Sequence, residues 1–273
     1  MTVRATARER GPAFDLLAAW APGGFFFERR GEGLAGTGRA ASVAVDGGPG
    51  RFARLARAVE AAFASVSRTD DDVAPLVAVG GASFDGARGV ELVVPARAVV
   101  RGERRSVEVT VGDISDGAVV AAPFPAVLPS EPFEHLRSEP SEDDYRAAVA
   151  RATSLIRSGS FEKVVLARSI VVEAGRDLDM RALLARLRAV DPDAYTFATA
   201  DGDATLVGAS PELLVRKSGR RVETTPLAGS APRGSDESSD RVSASRLSAS
   251  AKDLEEHRYV VEDVAAEIGR AHV

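Results

Sequence analysis

The sequence predicts an α+β chain, and three stretches predict it. A helix-period run at 52–65 is followed by strand-like runs between 75 and 113. A strand, a helix and three turn-linked strands succeed one another from 161 to 227. The last segment, from about 240 to 268, is helical throughout its pattern.

Up to about residue 40 the chain is Gly-rich and reads as irregular, with Phe25, Phe26 and Phe27 plugging a core or a sheet edge. In FARLARAVEAAFAS (52–65), Phe52, Leu55, Val59 and Ala62 share one helical face. PLVAVGGASFDG reads as a strand entering a Gly-containing turn, and RGVELVVPARAVVRG and SVEVTVGD as two further strands. Together these predict an antiparallel sheet with one helix packed on it.

The stretch 117–140 is rich in Pro and Ser and reads as a linking segment between 1–116 and 141–273. Ser141 and Asp144 form a capping box that opens a helix running to about Ser158, with Tyr145, Val149 and Ile156 along one side. FEKVVLARSIVV is the strongest strand pattern. Alternation puts Val164, Leu166, Arg168 and Ile170 on one face and Lys163, Val165 and Ala167 on the other. A helix in DMRALLARLRAV buries Met180, Leu183, Leu184 and Leu187. YTFATA, DGDATLVGAS, PELLVRKSGR and RVETTPL then give strands whose DG and SG dipeptides mark turns. In the final helical segment two serines in RLSASAKD weaken the propensity for one continuous helix, and Gly269 is a natural stop.

Composition narrows the function. The net charge is −5 with both signs interspersed, which argues against a nucleic-acid partner. No apolar run is long enough to span a bilayer, so no membrane partner is expected, and the N-terminus lacks a signal-peptide core; a cytoplasmic location follows as the expectation. With no cysteine, disulfides, thiolate nucleophiles and Cys-based zinc sites are excluded. The histidines at 135, 257 and 272 have no metal-site spacing. No Walker loop, dinucleotide fingerprint or nucleophile elbow is present.

Four features ask for an explanation. Lys163 interrupts an apolar strand pattern: it is either an edge lysine whose head reaches solvent or a desolvated general base. Glu212 sits where a small-residue turn enters a strand, as a solvent-facing glutamate or a rigidly held general acid. Glu256 falls in line with Val260, Val264 and Ile268, so its carboxylate should be paired, neutral or bound to a cation. The loop PLAGSAPRG (226–234) offers small residues, backbone N–H groups and Arg233 to an anion, a weak signal by itself.

Taken together, FEKVVLAR (161–168), GASPELLVR (208–216), TTPLAGSAPRG (224–234) and SASAKDLEEHRYVVEDV (248–264) resemble the chorismate-binding enzyme family, most closely its siderophore-type isochorismate synthases, with the menaquinone type next. GASFD (81–85) and FFFERR (25–30) are similar to the front part of that family. The resemblance implies an anthranilate synthase component I-like α+β fold, with antiparallel sheets flanked by helices, and an isomerase that converts chorismate to isochorismate with magnesium. By resemblance, Lys163 activates the water that attacks C2, where ammonia-using members carry glutamine, so no glutamine amidotransferase subunit is expected. Glu212 protonates the leaving C4 hydroxyl, Glu256 helps hold Mg2+, and Gly229 and Ser230 bind substrate. Ser230 replaces a threonine common there and keeps the hydroxyl. Lys163 must be neutral and Glu212 protonated in the competent state. The resemblance also implies a chain truncated at its C-terminus, covering about two thirds of a typical member. A second metal-binding glutamate, an arginine and a tyrosine for substrate carboxylates and a Gly-Ala-Gly-Ile loop do not occur by residue 273, so inactivity of the chain alone is expected. A salicylate synthase and a non-catalytic chorismate-binding remnant are the alternatives.

Overall fold

The computed structural model describes residues 3–68, 75–112, 135–175 and 177–268. In chain order the elements are β1 (Val3–Arg10), a 3-10 turn (Leu16–Ala19), β2 (Phe25–Arg29), β3 (Glu32–Thr37), β4 (Ala41–Val45), α1 (Arg51–Ala64) and β5 (Val66–Arg68). There follow β6 (Val90–Val94), β7 (Arg97–Arg101), β8 (Ser106–Val111), β9 (His135–Glu139), α2 (Glu142–Arg157), β10 (Ser169–Glu173) and α3 (Met180–Val190). The last are β11 (Tyr195–Asp201), β12 (Ala204–Ser210), β13 (Leu213–Ser218), β14 (Arg221–Thr225), α4 (Glu237–Ser248) and α5 (Ala251–Ile268). The fold is α+β with antiparallel sheets flanked by helices.

The chain divides into two compact units, one of residues 1–130 and 178–211, the other of 131–177 and 212–273. The first unit holds an eight-stranded sheet in the order β12-β11-β2-β3-β7-β8-β1-β5. Only the β1–β5 pair in it is parallel. A smaller antiparallel pair, β4 with β6, carries α1 through Val43, Leu55 and Val90. Helix α3 starts where Asp179 accepts from the Arg181 and Ala182 amides at 2.9 and 3.0 Å, which caps two otherwise unpaired donors. Its Leu184 is fully buried among Leu16, Leu17, Trp20, Phe26, Val99 and Ala198. Burying one such leucine contributes roughly 1.5–3 kcal/mol.

Several expectations are corrected in this unit. The first forty residues are not irregular: they form β1, β2 and β3. Arg30 and Gly31 both have positive φ, 52° and 78°, and make the two-residue turn that joins β2 to β3. A Cβ on Gly33 would lie 1.9 Å from the Phe27 carbonyl oxygen, so the close strand approach requires glycine there. Within the Phe triplet, Phe26 is buried and Phe27 stacks on Tyr195 at 5.4 Å. The strand expected at the start of PLVAVGGASFDG is reduced to isolated bridges at Val79 and Ala82. RGVELVVPARAVVRG makes two strands, not one, because Pro95 and Ala96 end the β4 pairing and β7 joins the large sheet.

The second unit contains the two-stranded pairs β9–β10 and β13–β14 with α2, α4 and α5. Ser141 accepts from the Asp144 amide at 3.2 Å and opens α2 as expected. Of the expected linking segment, residues 117–134 lie outside the described residues, and 135–139 is strand β9. The strand expected at 161–172 begins only at Ser169, where β10 pairs with β9 from Ser169↔Glu139 onward. Residues 163–168 run without ladder partners among the described residues, so the expected two-faced alternation does not hold for them. Val165 is 75% exposed and Leu214 of β13 is 81% exposed, so this unit presents much of its apolar surface outward. Helices α4 and α5 are separate, broken at Ala249 and Ser250. Gly269, the expected stop, lies outside the described residues. Among the described residues no helix is long and apolar enough to cross a membrane.

Candidate active site

Helix α5 supplies the carboxylate around which the site is built. Ser250 opens the helix: its hydroxyl accepts from the Asp253 amide at 3.3 Å and its carbonyl from the Leu254 amide at 2.9 Å. One turn on, Glu256 shares a half-buried stripe with Val260 and Val264, as its spacing predicts. A carboxylate in such a stripe requires compensation, and it has two ammonium partners. Lys163 Nζ lies 3.4 Å from Glu256 Oε1, and Lys252 Nζ lies 3.2 Å from Oε2. The hydrogen bond from Lys252, and then that from Lys163, hold the Glu256 carboxyl below the usual glutamate range.

Lys163 therefore does not sit in a strand. It projects from the extended run preceding β10, with its side chain 26% exposed, and Glu256 meets it. That run is tied to α2 by Tyr145, whose hydroxyl donates to the Leu166 carbonyl at 3.3 Å. Arg168 has its guanidinium 5.6 Å from the Tyr145 ring centroid.

The loop between β14 and α4 approaches α5 from another direction. Gly229 has φ 83°, a left-handed conformation that favours glycine. A Cβ there would stand 3.0 Å from Asp253 Cβ and 3.2 Å from its carboxylate. Hydrogen bonding with Ser250, followed by Lys252, keeps the Asp253 carboxyl low. At the loop's entrance Glu212, an exposed residue immediately before β13, accepts from the Leu227 amide at 3.4 Å. Ser230 is exposed beside Gly229. At the exit, Asp240 of α4 accepts from the Gly234 amide at 2.9 Å and pairs with Arg233 at 2.8 Å. Arg233, offered to an anion by its place in the loop, is thus paired with α4, with its side chain largely exposed.

The sequence-derived residues are linked by contact. Lys163 touches Glu256; Gly229 packs on Asp253, one turn before Glu256; Glu212 holds Leu227, two residues before Gly229. Sequence reasoning missed Asp240, whose role depends on a turn that brings α4 back over Gly234, and the engagement of His257 with Pro226. Neither leaves a pattern in residue spacing.

Among the described residues no three His, Asp or Glu side chains gather as a metal cage. Glu256 is a half-buried carboxylate with an ammonium group on each oxygen, so a cation would be held there only by displacing Lys163 or Lys252. Magnesium needs only one or two protein carboxylates when water and ligand oxygens complete its shell.

Residues 121–272 match the family described as chorismate binding enzyme. Over 218 residues the chain is 37% identical to a protein of Mycobacterium tuberculosis (strain H37Rv) provisionally named isochorismate synthase MenF; the match covers 76% of this chain and 51% of that protein. Isochorismate synthase EntC of Escherichia coli (strain K12) is 45% identical over 125 residues, 45% of this chain and 32% of EntC. A crystal structure from Bacillus anthracis, provisionally titled a 2,3-dihydroxybenzoate-specific isochorismate synthase, DhbC, superposes with a TM-score of 0.72 at 30% identity. That superposition covers 92% of this chain and 61% of the other. The chain spans about half the length of the first of these relatives.

Proposed function

The chain belongs to the chorismate-binding enzyme family, and from that premise we propose that its second unit carries the reacting groups of an isochorismate synthase. The observation that supports this best is the Lys163–Glu256 contact, because it puts a candidate base against the carboxylate of a candidate metal site. Both residues lie within the span 121–272 that matches the chorismate binding enzyme family.

The chemistry is a hydroxyl relocation. Water adds at C2 of chorismate, the ring double bonds shift, and the C4 hydroxyl leaves as water. No atom is gained or lost overall. Attack and departure occur at different carbons, so a base and an acid are both required. Lys163, an ammonium while it pairs with Glu256, must give up its own proton before it can take one from the attacking water, which requires Glu256 to be drawn away, as a bound cation would do. Glu212 in its protonated form gives a proton to the departing hydroxyl. Gly229 lets the loop seat closely on Asp253 of α5, and the exposed Ser230 offers a hydroxyl beside it, so this segment is the one we assign to the substrate. Glu256 would hold magnesium, which when bound neutralises the substrate carboxylate.

The siderophore-type reading draws on the likeness to the 2,3-dihydroxybenzoate-specific structure, while the match over 218 residues is to a protein named MenF. The mechanism is tested by running the reaction in water enriched in oxygen-18. Label is expected in the C2 hydroxyl of isochorismate. Unlabelled isochorismate would mean that the hydroxyl migrates within the molecule, and Lys163 would then have no water to activate.

A further inference from the structure

We infer that His257 is a positioning residue, the anchor that registers the loop 226–230 on the helical turn bearing Glu256. This rests on the assignment of Gly229 and Ser230 to substrate, but its physical basis is separate.

His257 Nε2 lies 3.2 Å from the Pro226 carbonyl oxygen. A carbonyl oxygen carries no proton, so Nε2–H is the donor. Pro226 has no amide proton, and its carbonyl is the only backbone polar group that residue can offer to a neighbour. The next polar group along the chain, the Leu227 amide, is taken by Glu212. The two consecutive backbone groups at the loop's entrance are therefore held by side chains from different elements, α5 on one side and the start of β13 on the other. Two residues on, Gly229 rests against Asp253 with no room for a Cβ.

His257 follows Glu256 in sequence and Pro226 precedes Gly229 by three residues, so this hydrogen bond, together with the Gly229–Asp253 contact, ties the substrate loop to the turn that bears the carboxylate. The imidazole is half-buried and borders an apolar cavity of about 460 Å³ walled by Thr224, Val261, Val264 and Ala265. Among the described residues His257 is the polar side chain of α5 that bonds Pro226. Removal of the Nε2 donor leaves Pro226 with packing alone.

The absence of cysteine makes a direct test available. A nitroxide attached at Ser230→Cys reports the order of the loop, and one at the exposed Ala148→Cys reports α2. In the Ser230→Cys background, His257→Phe keeps a flat ring and removes the donor, whereas His257→Gln keeps an N–H near the Nε2 position. The spin label on the loop is expected to tumble at least about threefold faster in the Phe variant and at the parent rate in the Gln variant, with the α2 label unchanged, as for local loosening of one segment. The inference is overturned if the Phe variant leaves the loop label unchanged. It is equally overturned if Gln fails to restore order, or if both labels loosen together, which would make His257 a general packing residue of the unit. The readout needs no substrate, so loss of the chorismate assignment and loss of this anchor are separate results.

Discussion

Lys163 Nζ stands 3.4 Å from Glu256 Oε1, and the pair joins two segments that are 93 residues apart in the chain. Each group is a poor choice for a half-buried position unless the other is present. Lys252 contacts the opposite oxygen and also pairs with Asp253, so two ammonium groups and two carboxylates form one cluster. Replacing Glu256 with Gln removes the charge but keeps the shape. Magnesium affinity of the variant, measured by calorimetry, is expected to fall at least about tenfold, because the carboxylate is the anionic donor such a cation needs. Equal affinity in the variant would remove Glu256 from the metal site.

Gly229→Ala tests the substrate loop. The added methyl meets Asp253 at 3.0 Å in a left-handed backbone where alanine is strained. The strain costs about 1 kcal/mol, and the loop must move off α5 to relieve the contact. The measurement is chorismate affinity alongside the melting curve. A weakened affinity with a small drop in stability is expected; full affinity would show that the loop's seat on Asp253 is immaterial to binding.

Glu108 of β8 gives a pH-dependent stability. Burial pushes its carboxyl up, but hydrogen bonds from Arg97 at 2.9 Å and Arg10 at 2.8 Å outweigh this and hold it below the usual 4.5. The unfolded chain therefore takes up this proton at a higher pH than the folded one. The stabilisation is complete above the unfolded value and is lost as pH falls through the folded value. Glu108→Gln is expected to flatten the acid limb of a urea-denaturation series by on the order of 1 kcal/mol, a figure reduced for the solvent screening of two partly exposed guanidiniums. An unchanged acid limb would contradict the assignment.

Leu184→Ala tests the core of the first unit. Leu184 is fully buried by α3 against Trp20 and Phe26. The substitution is expected to destabilise by about 2–5 kcal/mol through lost transfer energy and a residual cavity, read from denaturant unfolding. A loss below about 1 kcal/mol would mean that the site collapses freely around the alanine.

Much of this structure is legible in the sequence where the signal is local. The capping serine at 141, the burial of Leu184 on α3 and the turn-linked strands after Tyr195 follow from nearby residues, although Ala182 is buried where Met180, Leu183 and Leu187 are only half-buried and four strands stand where three were expected. The β2–β3 hairpin was obscured because its glycines look like loop residues, whereas Gly31 makes the turn and Gly33 admits the close strand. FEKVVLAR misleads in the opposite direction: its alternation favours a strand, but a strand needs a partner, and pairing with β9 begins only at Ser169. In the site, Glu256 was legible from its place in an apolar stripe. Lys163 was legible too, as a charge interrupting an apolar run, but its contact with Glu256 and the clamps by His257 and Asp240 were not, because they join distant segments through loop geometry.

The most direct test of the central claim is chromatography of the products formed from chorismate with magnesium, comparing the parent sequence with Lys163→Gln. Because the chain spans 51% of the length of its M. tuberculosis relative, the assay is run on the chain alone and joined to the remaining segment of a relative. Isochorismate is expected in at least the joined form, reduced about 10²–10⁴-fold by Lys163→Gln, the contribution of a general base. Chorismate returned unchanged by both forms, or isochorismate formed at the same rate without Lys163, would contradict the account.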